Sequence, residues 1–443
     1  MDPSIFHPDF KPRPYWWEAI DMGGDDPADE LPARADVVIV GGGLTGLNCA
    51  IELGRGGARP LVLDAEPLGF GASTRNGGGV SGGNNVGKGL SGAKGRQSPE
   101  EMRDWLRAIM GDASEGLAHI EALVQREAID CHYERTGRFV GAWTPKHYAG
   151  MAAKIDTLNE FAAADAHMLP RERQREEIAS DYYYGGMVVN RTGKIHPGLY
   201  HRGLMAAARR HGATLLGRTK AGALTRIAEG WRVETSRGAV EAREVVIATN
   251  GYTGSLTPDL RRRLIPVASH IIATEELDPA LAASLIPKQR TLADSRRILT
   301  YYRMSPDNRR VIFGGRARFT QVTPEVSAPI LHAMMLQRWP QLKGTRITHA
   351  WTGNVAFAFD YLPHMGVTQK GLHYAMACNG AGVAMLSYLG AELGKKLLGK
   401  ANRMPVFDGR DFPTRPFYTG QPWMLPMVGN WYRFRDWLDR RAA

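Results

Sequence analysis

The chain is poor in cysteine. It has three in 443 residues, Cys49, Cys131 and Cys378, an odd set with no spacing suited to a metal. That argues against a disulfide framework and against a metal site, and makes a reducing cytoplasm the simplest expected compartment. Long apolar runs are also missing. The most apolar long stretch, GLHYAMACNGAGVAMLSYLGAELG (371–394), is interrupted by Gly, Asn, His and Glu, so no transmembrane segment is expected. The opening MDPSIFHPDFKPRPYWWEA lacks the basic, apolar and small-residue order of a signal peptide. Acidic residues are the minority, 45 against 56 Lys plus Arg, leaving a net charge of +11 that favours anionic ligands. The basic residues are scattered except in RRRL (261–264) and the tail NWYRFRDWLDRR. A nucleic-acid groove needs clustered charge with stacking aromatics, so no nucleic acid is expected as partner. The tail interleaves both kinds of residue, which leaves a membrane-surface role open for it. With 43% hydrophobic and 23% charged residues, the chain reads as globular, and its length suits two or three domains.

What the chain does have is glycine in particular places. Val37 to Val40 is an apolar run of four β-branched residues, long enough for one buried parallel strand. Gly41, Gly43 and Gly46 follow in G-x-G-x-x-G spacing, and LNCAIELGRGG then reads as helix. Gly41 allows the tight turn and Gly43 lets the backbone approach a pyrophosphate. Gly46 lets the helix pack on the strand with its N-terminus facing the anion. A second strand, RPLVLD, ends at Asp64, where a carboxylate can accept from ribose hydroxyls. Without a ligand the triplet is a helix-on-strand turn; the order strand, turn, helix, strand, acid is what points to a dinucleotide.

Residues 69–95 then carry eleven of the 51 glycines. A nicotinamide enzyme has no need of such a run straight after the second strand. A flavin does, because a thin backbone can lie along its ribityl chain and ring while donating N–H groups. Ser73, Arg75 and Asn76 can reach phosphate, ribityl or ring oxygens. The competing reading is a loose loop, most of all for 84–96.

VVIVGGGLTGL, VLDAEPLGFGASTRNGGG, VVIATNGYTGSL, YYRMSPDNRRVIFGGR and WTGNVAFAFDYLPHMG together resemble the glycine oxidase and D-amino-acid oxidase superfamily of FAD enzymes. More narrowly, they resemble its gamma-glutamylputrescine oxidase-like branch. The resemblance implies an α/β fold with a discontinuous Rossmann-type FAD-binding domain of the GR2 kind. A second, α+β substrate domain would carry a large antiparallel sheet. The expected division is a 1–34 N-terminal arm, an FAD-binding domain from 35–97, 186–258 and 346–405, and a substrate-binding domain from 98–185 and 259–345. A 406–443 tail would contain an amphipathic helix.

Local signals fit that division. Ser98 and Glu101 form a capping box ahead of a helix, a second helix is expected over Pro145 to His167, and HPGLYHRGLMAAARRHG reads as a third, stopped by Gly212. ALTRIAEGWRVETSRGAVEAREVVIATNGY alternates as antiparallel strands. Its last run, Val245 to Ala248, reads as a buried strand whose end presents Thr249, Asn250 and Gly251 at a ligand crevice. Residues 260–345 suit an antiparallel sheet plus a helix. The C-terminal HYAMACNGAGVAMLSYLGAELGKKLLGK reads strand, glycine turn, helix, with free N–H groups near Gly380 and Gly382.

The expected FAD contacts, non-covalent, are Gly41, Gly43, Leu44, Thr45 and Gly46; Asp64 and Ala65; and Gly71, Ala72, Ser73, Arg75, Asn76, Gly77 and Gly78. Leu224, Thr249, Asn250, Gly251 and Gly353 follow, then Gly380, Ala381, Gly382 and Val383. Cys378 is expected to be a small buried residue, not a flavin linkage. The resemblance implies a small amine substrate whose C–H passes as hydride to flavin N5, giving an imine that water hydrolyses. The reduced flavin would return its electrons to O2 with release of H2O2, or to a quinone or electron-transfer protein. A basic flavoprotein that binds or modifies RNA is the reading from another class.

Two departures matter. Ala381 stands where the family often has histidine, and Val355 stands where glycine oxidase-like members carry the arginine that clamps the substrate carboxylate. A plain α-amino acid would lose its bidentate partner. Tyr301, Tyr302 and Arg303 lie on a strand that the resemblance directs toward the pocket, of which alternation lets one face point in. Tyr302 and Trp351 are the expected pocket walls, against a reading as core aromatics. His270 and His364 read as structural.

Overall fold

The computed structural model describes residues 5–22, 30–83 and 98–441. Among these, strands gather into two large sheets. The first is built on Arg34–Val40, which lies parallel between Pro60–Leu63 and Gly238–Ile247. Val38 and Ile39 are fully buried because both faces are covered, Ile39 packing with the helices Leu44–Arg55 and Gly382–Leu397 and Val38 with Trp231, Val233 and Leu264, which is why this strand is apolar without alternation. Thr214–Leu216 and His373–Met376 extend the parallel set, and two antiparallel strands, Ala221–Ile227 and Gly230–Thr235, finish one edge. Helices Leu44–Arg55 and Gly382–Leu397 cross on this sheet at backbone contact. A side chain at Gly390 would collide with the Thr45 carbonyl, 2.3 Å away.

The larger sheet runs in the order Phe6–Lys11, Ile347–Phe357, Ile265–Thr274, Val311–Gly315, Thr300–Met304, Thr291–Asp294, Arg138–Gly141, Gly186–Val189, Ala166–Leu169. One of its faces packs on the helix Pro324–Arg338 over a core that includes Phe139, Phe313, Leu331 and Trp339. The other faces a cavity of about 2060 Å3 that continues to the carboxyl ends of the first sheet's parallel strands.

The expected helix over 145–167 is instead two helices, Pro145–Ala152 and Ile155–Ala162, followed by the strand Ala166–Leu169. Ala163 and Asp165 adopt left-handed backbone, which ends the helical path. Two segments assigned from the sequence to the FAD-binding pieces belong to the larger sheet. Gly186–Val189 pairs with Arg138–Gly141, and Ile347–Phe357 is the long neighbour of Ile265–Thr274. The N-terminal arm is likewise part of that sheet, through Phe6–Lys11. The capping box forms as expected, with Ser98 and Glu101 exchanging bonds of 3.2 and 2.7 Å.

The tail helix, Leu425–Arg441, is tied down by Asp436, whose carboxylate accepts from the Ile298 N–H at 2.9 Å and from Arg297. No described helix is long and apolar enough to cross a membrane.

Candidate active site

The glycine turn leaves Val40 with Gly41 at φ +114°, a conformation open to glycine. Gly46 sits over that turn so closely that a Cβ would fall 2.0 Å from the Gly41 carbonyl oxygen. The N-terminus of helix Leu44–Arg55 therefore looks into the cavity, with no side chain of its cap residue, Gly43, in the way. Around it, the Gly42 N–H donates to Asp64 at 2.9 Å, the Leu44 N–H to Ser73 Oγ at 3.1 Å, and His201 Nε2 to the Gly42 carbonyl at 2.8 Å. A helix N-terminus with its donors aimed at a cavity, flanked by a carboxylate at the end of the next strand, suits a pyrophosphate and its ribose.

The next segment, 70–79, lies between the first sheet and the cavity face of the second. Its carbonyls and hydroxyl are pinned by three tryptophans. Trp16 Nε1 donates to the Asn76 carbonyl at 2.8 Å, Trp17 Nε1 to Thr74 Oγ1 at 2.8 Å, and Trp351 Nε1 to the Arg75 carbonyl at 2.9 Å. Arg75 and Asn76 spend their polar groups inside the loop. The Arg75 guanidinium donates to the carbonyls of Phe70 and Thr352 and lies over the rings of Phe70 and Trp17. The Asn76 amide donates to Ala72 and Ser73 carbonyls and accepts from Gly78. What the loop leaves facing the cavity is chiefly backbone, as a flat ring would need. The rest of the glycine-rich run, 84–95, lies outside the described residues.

Most of the residues expected to hold a cofactor line this one cavity: Gly41, Gly43, Leu44, Thr45, Asp64, Ala65, Gly71, Ala72, Ser73, Arg75, Asn76, Gly77, Thr249, Asn250, Gly353, Gly380, Gly382 and Val383. Five do not. Gly46 packs helix on turn; a side chain at Gly78 (φ +73°) would point at the Ile195 carbonyl; one at Gly251 would press on Asn354; Ala381 caps the helix Gly382–Leu397 from behind. Leu224 pairs with Val233 and packs against the core of the first sheet, while Lys220, Ala221 and Gly222 line the cavity three residues earlier.

Of the two expected pocket walls, Tyr302 lines the cavity and Trp351 does not. Tyr302 borders the cavity, but its ring stacks on Phe313 at 5.1 Å in the opposite core and its hydroxyl bonds Tyr183 at 2.6 Å. Alternation turns Tyr301 the other way. Its ring lies beneath Gly77, where a Cβ would come within 2.8 Å, and its hydroxyl meets Ser269 at 2.9 Å. Burial raises the Tyr301 phenol to about 12, so it stays neutral. Trp351 is buried beside Trp16 and acts on the loop rather than the cavity. Val355, Phe357, Phe359, Tyr361 and Tyr432 complete this end, the last from the tail helix. Sequence reading missed Ser269, Arg316, Trp16, Trp17 and His201; the aromatic pair in PYWWEA was the visible hint of the arm's role.

His270 bonds Thr352 Oγ1 at 2.8 Å, and His364 bonds Asp360 and stacks on Phe412 at 4.1 Å. Cys378 is buried, its thiol directed at the Ala356 carbonyl. Among the cavity carboxylates, Asp294 is bound by Arg338 at 2.9 Å and Arg296 at 2.8 Å.

The sequence profile described as "FAD dependent oxidoreductase", the DAO family, matches residues 36–395. The chain belongs to this family. The cradle of backbone at 41–46 and 70–79, the carboxylate at 64 and the long cavity fit an extended FAD. As a DAO-family chain it is an FAD-dependent oxidoreductase, and non-covalent binding is typical of the family. It is 32% identical over 409 residues to the gamma-glutamylputrescine oxidoreductase of Escherichia coli (strain K12), covering 91% of this chain and 93% of that one. It is 29% identical to a probable oxidoreductase OrdL of Rhizobium meliloti (strain 1021), covering 91% and 92%. Glycine oxidase from Geobacillus kaustophilus shares the fold with a TM-score of 0.71 at 20% identity, over 87% of this chain and 99% of that one.

Proposed function

We propose that the protein oxidises a C–N bond of a small amine, of the gamma-glutamylputrescine kind, a secondary amine or an amino-acid derivative. The observation that carries this reading is the aromatic end of the cavity. It is walled by Tyr301, Phe357, Phe359, Tyr361 and Tyr432, and has Val355 where an α-amino-acid oxidase would clamp a carboxylate. Similarity to gamma-glutamylputrescine oxidoreductase over most of both chains supports the same substrate class.

Bound FAD supplies a hydride acceptor and, in turn, a donor of two electrons to O2. The polypeptide's work is positional. The aromatic walls exclude water and hold the amine's α-carbon against the ring plane. Tyr301 stays a neutral phenol and is fixed by Ser269, so it orients but does not take a proton. Asp294 is consumed by two arginines. The amine must therefore arrive uncharged, and turnover should rise with pH toward the substrate amine's own pKa.

The test is anaerobic bleaching of the yellow holoenzyme with a panel of primary and secondary amines, amino acids and gamma-glutamyl amines, with the product weighed by mass spectrometry. Bleaching by gamma-glutamylputrescine or a related amine is expected, followed by reoxidation and peroxide on admitting air. A panel that leaves the flavin oxidised throughout would sink the reading. Bleaching without peroxide on aeration would assign the electrons to another acceptor.

A further inference from the structure

Arg316 extends from the end of Val311–Gly315 into the cavity. Its guanidinium lies 5.1 Å from the ring of Phe357 and 5.6 Å from that of Phe319. Among the described residues no hydrogen-bond acceptor or carboxylate meets it, and the groups nearest in charge are the phenols of Tyr432, Tyr361 and Tyr301. Burial depresses its pKa, opposed only by those three phenols and by no carboxylate. A guanidinium keeps its charge nonetheless, and a buried charge without a counter-ion is costly. Four other cavity arginines have partners, Arg297 among them through Asp436 and Asp439. Arg75 serves the loop carbonyls, Arg296 is paired with Asp294, and Arg303 donates to the Ile195 and Met304 carbonyls.

The position is as telling as the lack of partner. Ile265–Thr274 lies between the strands of Arg316 and Phe357, so the side chain spans it to reach Phe357. Phe357 is two residues beyond Val355 on the same face. The charge absent at 355 thus reappears at the neighbouring spot, delivered from another strand. Arg138 is also without a partner and borders the cavity, but it is three strands along the sheet, roughly 14 Å at the usual strand spacing.

We infer that Arg316 is the anion anchor of this site, binding a carboxylate carried by the amine substrate away from its oxidised carbon. Phe319 and Phe357 hold the guanidinium plane, leaving its edge N–H groups for a bidentate bond. The aromatic faces are therefore used by the protein's own cation, not by a substrate ammonium. This rests on the amine-oxidase reading, and the test separates the two.

Binding comes first, without turnover. Butanoate and butanamide are titrated into the holoenzyme, read by calorimetry and by perturbation of the flavin spectrum. Butanoate should bind at least 10-fold tighter than its amide, and Arg316→Gln should abolish the difference. Kinetics follow with gamma-glutamylputrescine and its methyl ester. Arg316→Gln should raise KM for the acid roughly 10- to 100-fold, the loss expected for one charged bidentate bond, with little change for the ester. Arg316→Lys, which keeps the charge, should fall between, and free guanidinium should partly restore the Gln variant. FAD content and melting temperature check that each variant folds; if the Gln variant does not, the Lys variant carries the comparison. Equal binding of butanoate and butanamide by the wild type, or equal losses for acid and ester, would overturn the anchor. Failure of every amine to bleach the flavin while butanoate still binds through Arg316 would overturn the amine-oxidase reading and leave the anion site standing.

Discussion

Trp351 and Arg75 are 276 residues apart and joined by one hydrogen bond, 2.9 Å from indole Nε1 to backbone carbonyl. Trp16 makes the equivalent bond to the next carbonyl, Asn76, and the two indoles meet edge to face with centroids 6.4 Å apart. The loop expected to lie along the flavin is thus fixed by side chains from the larger sheet and from the N-terminal arm. Trp351→Phe keeps the ring's bulk and removes the donor, leaving a buried carbonyl unmet at a cost of about 1–3 kcal/mol. The expected result is several-fold weaker FAD retention on dialysis, with substrate preference unchanged. A shift in preference among amines without loss of FAD would restore Trp351 to the role of pocket wall.

The glycine turn makes a sharper prediction. Gly46→Ala puts a methyl group 2.0 Å from the Gly41 carbonyl oxygen, and both atoms belong to backbone that anchors the helix. No small shift relieves that, so the variant should be colourless or insoluble. Gly150→Ala is the control, since nothing lies within 4 Å of its Cβ and it sits in the helix Pro145–Ala152. There the gain in helix propensity is up to about 1 kcal/mol, and the protein should stay yellow. Absorbance at the flavin band after purification decides both.

Why these features could be read from the sequence, and others could not, follows from their range. The turn at 41–46 and the carboxylate at 64 belong to one local unit, strand, helix and strand, whose geometry is fixed by short-range sterics. Alternation also showed that Tyr301 and Tyr302 face opposite ways. It gave no sign for which faces the cavity, because that depends on Phe313 and Trp339 on one side and Gly77 on the other, residues set by packing across the sheet. Leu224 fails by a similar route. The first antiparallel strand was recognised, but which residue meets the cavity depends on where the strand leaves the sheet edge, and that is Lys220 to Gly222. Arg316 carries no periodic signal; only the strand between it and Phe357 gives it meaning.

The two tyrosines therefore separate by experiment. Tyr302→Phe loses the bond to Tyr183 in the core, about 1 kcal/mol of stability, and should leave kcat/KM for the best amine within about twofold. Tyr301→Phe loses the bond to Ser269 beneath the loop and should lower kcat/KM by about tenfold, roughly 1.4 kcal/mol of transition-state stabilisation, with little change in melting temperature. Measuring both variants in one series guards against a general packing effect. The opposite pattern, kinetics sensitive at 302 and insensitive at 301, would reverse the assignment.

Acid should loosen the nucleotide side through two buried histidines. His201 donates to the Gly42 carbonyl, and His196 Nδ1 accepts from the Leu199 N–H to cap the helix Pro197–Arg210. Burial holds both pKa values down to about 4, with Arg303 adding to the effect at His196. An unfolded histidine titrates near 6.5. Between these values the unfolded chain binds a proton that the folded chain refuses, so stability is full above about pH 6.5 and falls as pH drops toward 4. At pH 5 each histidine accounts for a loss of about 2 kcal/mol relative to neutral pH. His196→Asn preserves a side-chain cap and removes one of the two titrating groups. Its urea midpoint for flavin release should therefore fall less steeply between pH 6.5 and 4.5 than that of the wild type, by the slope of one proton. Parallel curves for the two proteins would mean that His196 is protonated in the folded chain, and the cap would then have to be held by another donor-acceptor pair.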